Sequence, residues 1–128
     1  MYYPLVVFLY LIFINPILEY TAHYLLHKYD MYYHKSHHIL YHQSLRDNTN
    51  LAIETWPFYA FVILNILTLD VMSFSMLIYF VNHTIIHLRP EWMPKISKHH
   101  HIHHKYNNCN YCVSTRWPDY LFGTIKYE

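Results

Sequence analysis

The sequence predicts an all-α fold, a bundle of helices seated in a membrane, and three observations carry that prediction. Hydrophobic residues make up 54% of the 128 positions and charged residues only 13%; a soluble domain carries about twice that charged fraction. Two long apolar stretches alternate with polar ones whose basic residues cluster. Finally, all thirteen histidines fall in three stretches, His23 to His42, His83 to His87 and His99 to His104, at spacings that match helical turns. A mean hydropathy of zero conceals the apolar runs, because histidine, tyrosine and asparagine offset them. At this length residues 1–128 form a single domain. A net charge of +1 provides no global field for nucleic acid, and two cysteines without a secretory cleavage pattern give no disulfide framework.

The first element is a helix from about Tyr3 to His27. Leu5 to Ile14 are apolar throughout, Asn15 and Pro16 interrupt them, and the pattern resumes to Leu26. Pro16 predicts a kink or a break. The strictly apolar part is short of the roughly 20 residues a span requires, but the whole bent helix is long enough.

The second element is a helical hairpin within "WPFYAFVILNILTLDVMSFSMLIYFVNHTIIH". Pro57 suits a first helical turn, and Asp70, the only charge between Glu54 and Arg89, marks the turn between the arms. Each arm is short for a full crossing, so a shallow or re-entrant hairpin is an alternative. Every Lys and Arg lies between Lys28 and Arg46 or between Arg89 and Lys126. Under the positive-inside rule both regions face the cytosol, and the histidines enter on that side. The fifteen tyrosines read as interfacial anchors and packing.

His23 and His27 are four residues apart, as are His83 and His87, which sets two imidazoles one turn apart on one helix face. His34, His37 and His38 form H-x-x-H-H, and His100, His103 and His104 repeat it. In this reading i and i+3 share a face while i+4 is rotated round the helix, so one short helix can feed two metals. Ten histidines are too many for one ion and natural for two. Imidazole suits Fe, Zn, Cu or Ni, whereas a structural zinc site closes with four ligands, often thiolates. The pattern therefore points to a dinuclear centre with an open position. An expression tag does not explain "KHHHIHHK", which is broken by Ile102, lies inside the chain and has partners upstream.

The order H-x3-H, H-x2-H-H, H-x3-H, H-x2-H-H resembles the fatty acid hydroxylase / sterol desaturase superfamily of integral membrane di-iron enzymes. "LEYTAHYLLHK" is similar to that family's lead into its first histidine pair, "YHKSHH" to its second box and "IETWPF" to the glutamate-containing segment after it. "HHHIHHKYNNCNYCVSTRWPDYLFGT" resembles its closing signature, and the likeness runs from about Glu19 to Thr124. Carried over by position, the resemblance implies metal ligands at His23, His27, His34, His37, His38, His83, His87, His100, His103 and His104. Asp119 matches the aspartate of the closing motif, with a role in supporting the fold or the ligands, and Gly123 the glycine before its last threonine. Cys112 stands where glycine is usual, and Pro118 adjoins the aromatic Trp117.

The resemblance implies an integral membrane helical bundle with a histidine-lined cytosolic metal site. It implies two iron ions, for which zinc can substitute, and O2 as co-substrate. The reaction would be hydroxylation or desaturation of a lipid C–H bond in lipid biosynthesis, with sterols and fatty acyl chains among the substrates. Electrons would come from NAD(P)H through cytochrome b5 or an equivalent carrier, in a eukaryote at the endoplasmic reticulum. Lys95, Lys98 and Lys105 would dock an acidic carrier or simply mark the cytosolic side. Two competing readings are a non-catalytic membrane metal-binding protein and an inactive family member acting as a partner subunit. Transporters place ionisable ligands mid-span, whereas these histidines lie beyond the apolar runs. His42, His99 and His101 fall outside the matched spacings and are expected beside the ligands or at the surface. The C-x-x-C of Cys109 and Cys112 lacks a second pair, and the sequon at Asn82 adjoins a ligand position; neither is assigned a function.

Overall fold

The computed structural model describes residues 3–43 and 71–128, side chains at 40, 42–43 and 71–73 excepted. The described elements are helical, with no strand among the described residues, in agreement with the all-α expectation. Helix α1 spans Tyr3–Lys28, the one described helix long and apolar enough to cross a membrane. It does not break at Pro16. A wider π turn covers Tyr10–Ile14, closed by the Asn15 N–H donating to the carbonyl of Tyr10. Proline has no N–H and its ring crowds the carbonyl four residues back, here Ile12. Widening the preceding turn absorbs both problems without ending the helix.

The two halves of α1 face different surroundings. Leu5, Val6, Phe8 and Phe13 are each more than half exposed, an apolar surface that water does not favour. Beyond the π turn, Asn15, Glu19, Tyr20 and His23 form a buried stripe at helical spacing. A left-handed Asp30 then turns the chain into α2, Tyr32–Gln43.

Helix α3, Val71–Leu88, buries Ser75, Phe80, His83 and Ile86. A 3-10 turn, Pro90–Trp92, leads to α4, Pro94–Tyr106; each opens on a proline, which has no N–H to waste at a first turn. Helix α4 ends at Asn107, left-handed at φ 61°, whose N–H returns to the carbonyl of His103. The segment 107–116 folds over the ends of α1 and α4, and the short helix α5, Trp117–Leu121, packs on α1. The expected helix arm from Pro57, the turn at Asp70 and the "IETWPF" segment lie outside the described residues.

The centre of this fold is polar. His23, His103, His104, Asn110, Cys112, Val113, Pro118 and Asp119 are its most completely buried side chains. Buried polar groups of this density are stable only when each has a partner, and their partners define the site.

Candidate metal centre

The ten histidines of the four spaced motifs come together in two adjoining groups of five. One holds His23, His27, His34, His38 and His103; the other holds His37, His83, His87, His100 and His104. Within each group one nitrogen per ring lies within 4.8 Å of all the others. Across the boundary, the rings of His38 and His104 stand 4.3 Å apart between centroids.

The division follows helix geometry, though not as the spacing was first read. In each H-x-x-H-H the outer pair, four apart, serves one group and the middle histidine serves the other. Four residues advance a helix by 40° past a full turn, whereas three fall 60° short. The i+4 ring therefore stays with i, and the i+3 ring diverges from i+4 by 100°. Helices α2 and α4 thus each feed both groups, while α1 and α3 each feed one.

In the first group, His34 Nε2 lies 3.0 Å from His23 Nε2, 2.8 Å from His27 Nε2 and 3.1 Å from His38 Nε2. His103 Nε2 lies 3.0 Å from His27 Nε2 and 3.1 Å from His38 Nε2. Hydrogen bonds alone cannot account for these contacts. His23 Nδ1 donates to the carbonyl of Tyr111, and His103 Nδ1 donates to that of Cys109 at 2.7 Å. Carbonyls only accept, so both rings turn an unprotonated Nε2 inward. At most three protons then remain for the five contacts. A cation at the centre removes the conflict, because every ring can offer it a lone pair. Neighbouring ligands in an octahedral shell with bonds of about 2.1 Å stand about 3.0 Å apart, close to the spacing found.

The second group behaves alike. His100 Nε2 stands 3.1, 3.0 and 2.9 Å from the Nε2 atoms of His83, His87 and His104. The His37 ring completes it, 4.7 Å from His104 and 4.8 Å from His87 between centroids. Burial first, then neighbouring imidazoles, holds His34, His100, His103 and His104 below the ordinary histidine value. These rings are neutral at physiological pH, the state a metal requires. The residues present therefore fit two metal ions, with five imidazoles available to each.

Segment 107–116 holds the first group in place, and buried carboxylates hold the segment. Asp119 accepts from the backbone N–H groups of Tyr111 and Cys112 at 2.7 and 2.9 Å, from Thr124 Oγ1 at 2.8 Å and from His99 Nε2 at 3.0 Å. Glu19 accepts from the N–H groups of Val113 and Ser114. Asn110 donates to the carbonyls of His99 and Lys126. The sequence marked Asp119 as supporting and gave Glu19 no role. Carbonyls of Tyr111 and Cys109 were invisible to it, since any residue type supplies one; the only signal was the crowding of Asn, Cys and Asp after the last histidine.

The remaining positions fall as follows. His99 is buried on Asp119, His101 is exposed, and the side chain of His42 lies outside the described residues. Cys112 needs no glycine-like backbone, since the left-handed positions among the described residues are Asp30, Asn107, Asn110 and Gly123. Cys109 and Cys112 are free thiols facing Ile102 and Glu19 respectively, so they form no pair. Asn82 donates to Ser114 Oγ.

A cavity of about 290 Å³ opens between α1 and α3. Its walls include Leu18, Leu26, Met76 and Phe80, and it reaches His23 and His34 of one group and His37 and His83 of the other. An apolar space therefore ends on both clusters.

Fold and site together define a class: a helical protein, with one helix among the described residues able to span a bilayer, that gathers ten imidazoles into a paired metal-type centre. The chain belongs to the fatty acid hydroxylase family, whose model matches residues 8–124. That match begins within the apolar half of α1, earlier than the likeness read from the motifs. Membership implies an oxidoreductase of the lipid hydroxylase or desaturase type. No match is found among curated proteins or among solved structures.

Proposed function

We propose that this protein is a membrane-bound di-iron oxidoreductase that uses O2 to hydroxylate or desaturate a C–H bond of a lipid, such as a sterol or fatty acyl chain. The observation that carries this reading is the apolar cavity ending on imidazoles of both groups. His23, His27, His34, His38 and His103 would hold one ion, and His37, His83, His87, His100 and His104 the other. When bound, the two irons supply the redox chemistry that activates O2.

The chain's own residues do the rest. Apolar side chains along the cavity admit a lipid chain and exclude water, which protects a strong oxidant from side reactions. The Tyr111 and Cys109 carbonyls fix His23 and His103 with their Nε2 atoms inward, so the pocket is organised before metal arrives. Electrons would come from NAD(P)H through cytochrome b5 or a similar carrier, docking near the exposed Lys95 and Lys98. Under the positive-inside rule the basic residues beside the histidines favour a cytosolic orientation of this face, at the endoplasmic reticulum if the source is eukaryotic.

The test is to express the chain in a host that supplies an electron donor, profile its lipids and measure metal in the purified protein. About two irons per chain and a lipid gaining one oxygen or losing two hydrogens are expected. Stoichiometric metal with an unchanged lipidome would overturn the catalytic reading in favour of a binding role.

A further inference from the structure

Tyr41 connects the second histidine group to the surface. Its ring stacks on His104, 3.9 Å between centroids and 19° between planes, and meets the edge of His87 at 5.2 Å. Its hydroxyl lies 2.7 Å from Nδ1 of His101, a residue the metal groups do not use and whose ring is exposed. Among the described residues two other tyrosines also touch candidate ligands, Tyr79 stacking on His83 and Tyr111 meeting His23, His27 and His103. Among the described residues, only Tyr41 of these three has its hydroxyl bonded to a solvent-facing base.

A phenol is easily oxidised only if its proton can leave with its electron. Histidine is the usual partner, because a neutral imidazole nitrogen accepts that proton along an existing hydrogen bond. A ring in stacking contact with a ligand is also well placed to pass an electron to the metal the ligand holds. Both requirements meet at one residue.

We infer that Tyr41 and His101 form an escape relay that discharges the oxidised metal centre when no substrate hydrogen is within reach. The inference rests on the iron reading above. In the step, Tyr41 gives one electron to the oxidised centre, which is reduced by one unit, while the phenolic proton moves from Oη to Nδ1 of His101. The products are a neutral tyrosyl radical and an imidazolium. An external one-electron reductant, such as a soluble thiolate that is oxidised to a thiyl radical, then supplies the electron that restores the phenol as the proton returns from His101. The relay would spare the oxidisable Met76 and Tyr79 that line the cavity.

The full chain is loaded with ferrous iron without oxygen, mixed with O2 in the absence of lipid, and frozen for electron paramagnetic resonance. An organic radical is expected, narrowed when ring-deuterated tyrosine is incorporated. Tyr41→Phe keeps the stacked ring and should abolish the signal with iron content unchanged; peptide mass spectrometry should then find more oxidised Met76. His101→Gln should slow radical formation by about a hundredfold, the contribution of a positioned proton acceptor. Zinc-loaded protein should give no radical. An iron-loaded protein that oxidises lipid yet forms no radical, or a Tyr41→Phe protein that keeps it, overturns the relay and leaves the enzyme reading standing. Failure to take up iron overturns both.

Discussion

At the residue scale, Asp119 shows how one carboxylate governs a site it does not touch. Its two oxygens accept four hydrogen bonds, three of them from the loop and turn on either side of it. Asp119→Asn replaces one oxygen by an N–H2 group that faces donors, leaving buried donors unpaired at a cost of about 3 kcal/mol. The expected result is a lower melting temperature and weaker metal binding, read by thermal scans in detergent with and without added metal. Protonation works on the same scale. His34, His100, His103 and His104 resist protonation in the fold, whereas the unfolded chain takes up protons below about 6.5. The unfolded state therefore binds more protons in acid, and stability falls as pH drops below that value. Each group contributes roughly 1.4 kcal/mol per pH unit there. Metal-free protein should melt lower at pH 5.5 than at pH 7.5, and a flat profile would refute the buried, neutral imidazoles.

At the element scale, α2 and α4 each serve two masters. Neighbouring residues His37 and His38 belong to different groups, although a single peptide bond joins them. Removing either should cost one metal rather than weaken both. His37→Ala and His38→Ala are each expected to lower bound metal from about two ions to about one, and the double variant to nearly none, measured by elemental analysis. Equal partial loss in every variant would mean one shared site. Helix α1 is joined to segment 107–116 through Glu19. Glu19→Ala strips the acceptor from two backbone N–H groups and should destabilise the protein by about 3 kcal/mol. Proteolysis should then open that segment first, while Glu19→Gln, which retains one acceptor, recovers part of the loss.

At the scale of the whole molecule, an exposed apolar half-helix leads into a polar core with an apolar cavity alongside. The exposed face of Leu5 to Ile14 calls for a lipid environment, and the cavity sits where that face gives way to the histidines. Ala22 lines the cavity one residue before His23. Ala22→Phe should fill part of the space without touching a metal-binding nitrogen. The amount of lipid that co-purifies, measured by mass spectrometry, should fall severalfold while metal content stays the same. Loss of both together would mean that the cavity and the metal groups are not separate features.

Much of this was legible in the sequence because helical spacing is local. The pairs His23/His27 and His83/His87 declare a shared face by themselves, and the aliphatic run before Asn15 declares a helix needing an apolar surrounding. The sequence by itself therefore determined the helical class and the ten imidazoles at helical spacing. Only the tertiary structure decided which five rings meet, because a helix face says where a side chain points and not which helix stands opposite. It also supplied the carbonyl of Tyr111, 88 residues from the His23 ring it orients. Such partners are backbone atoms brought near by folding over long separations, and no side-chain pattern encodes them.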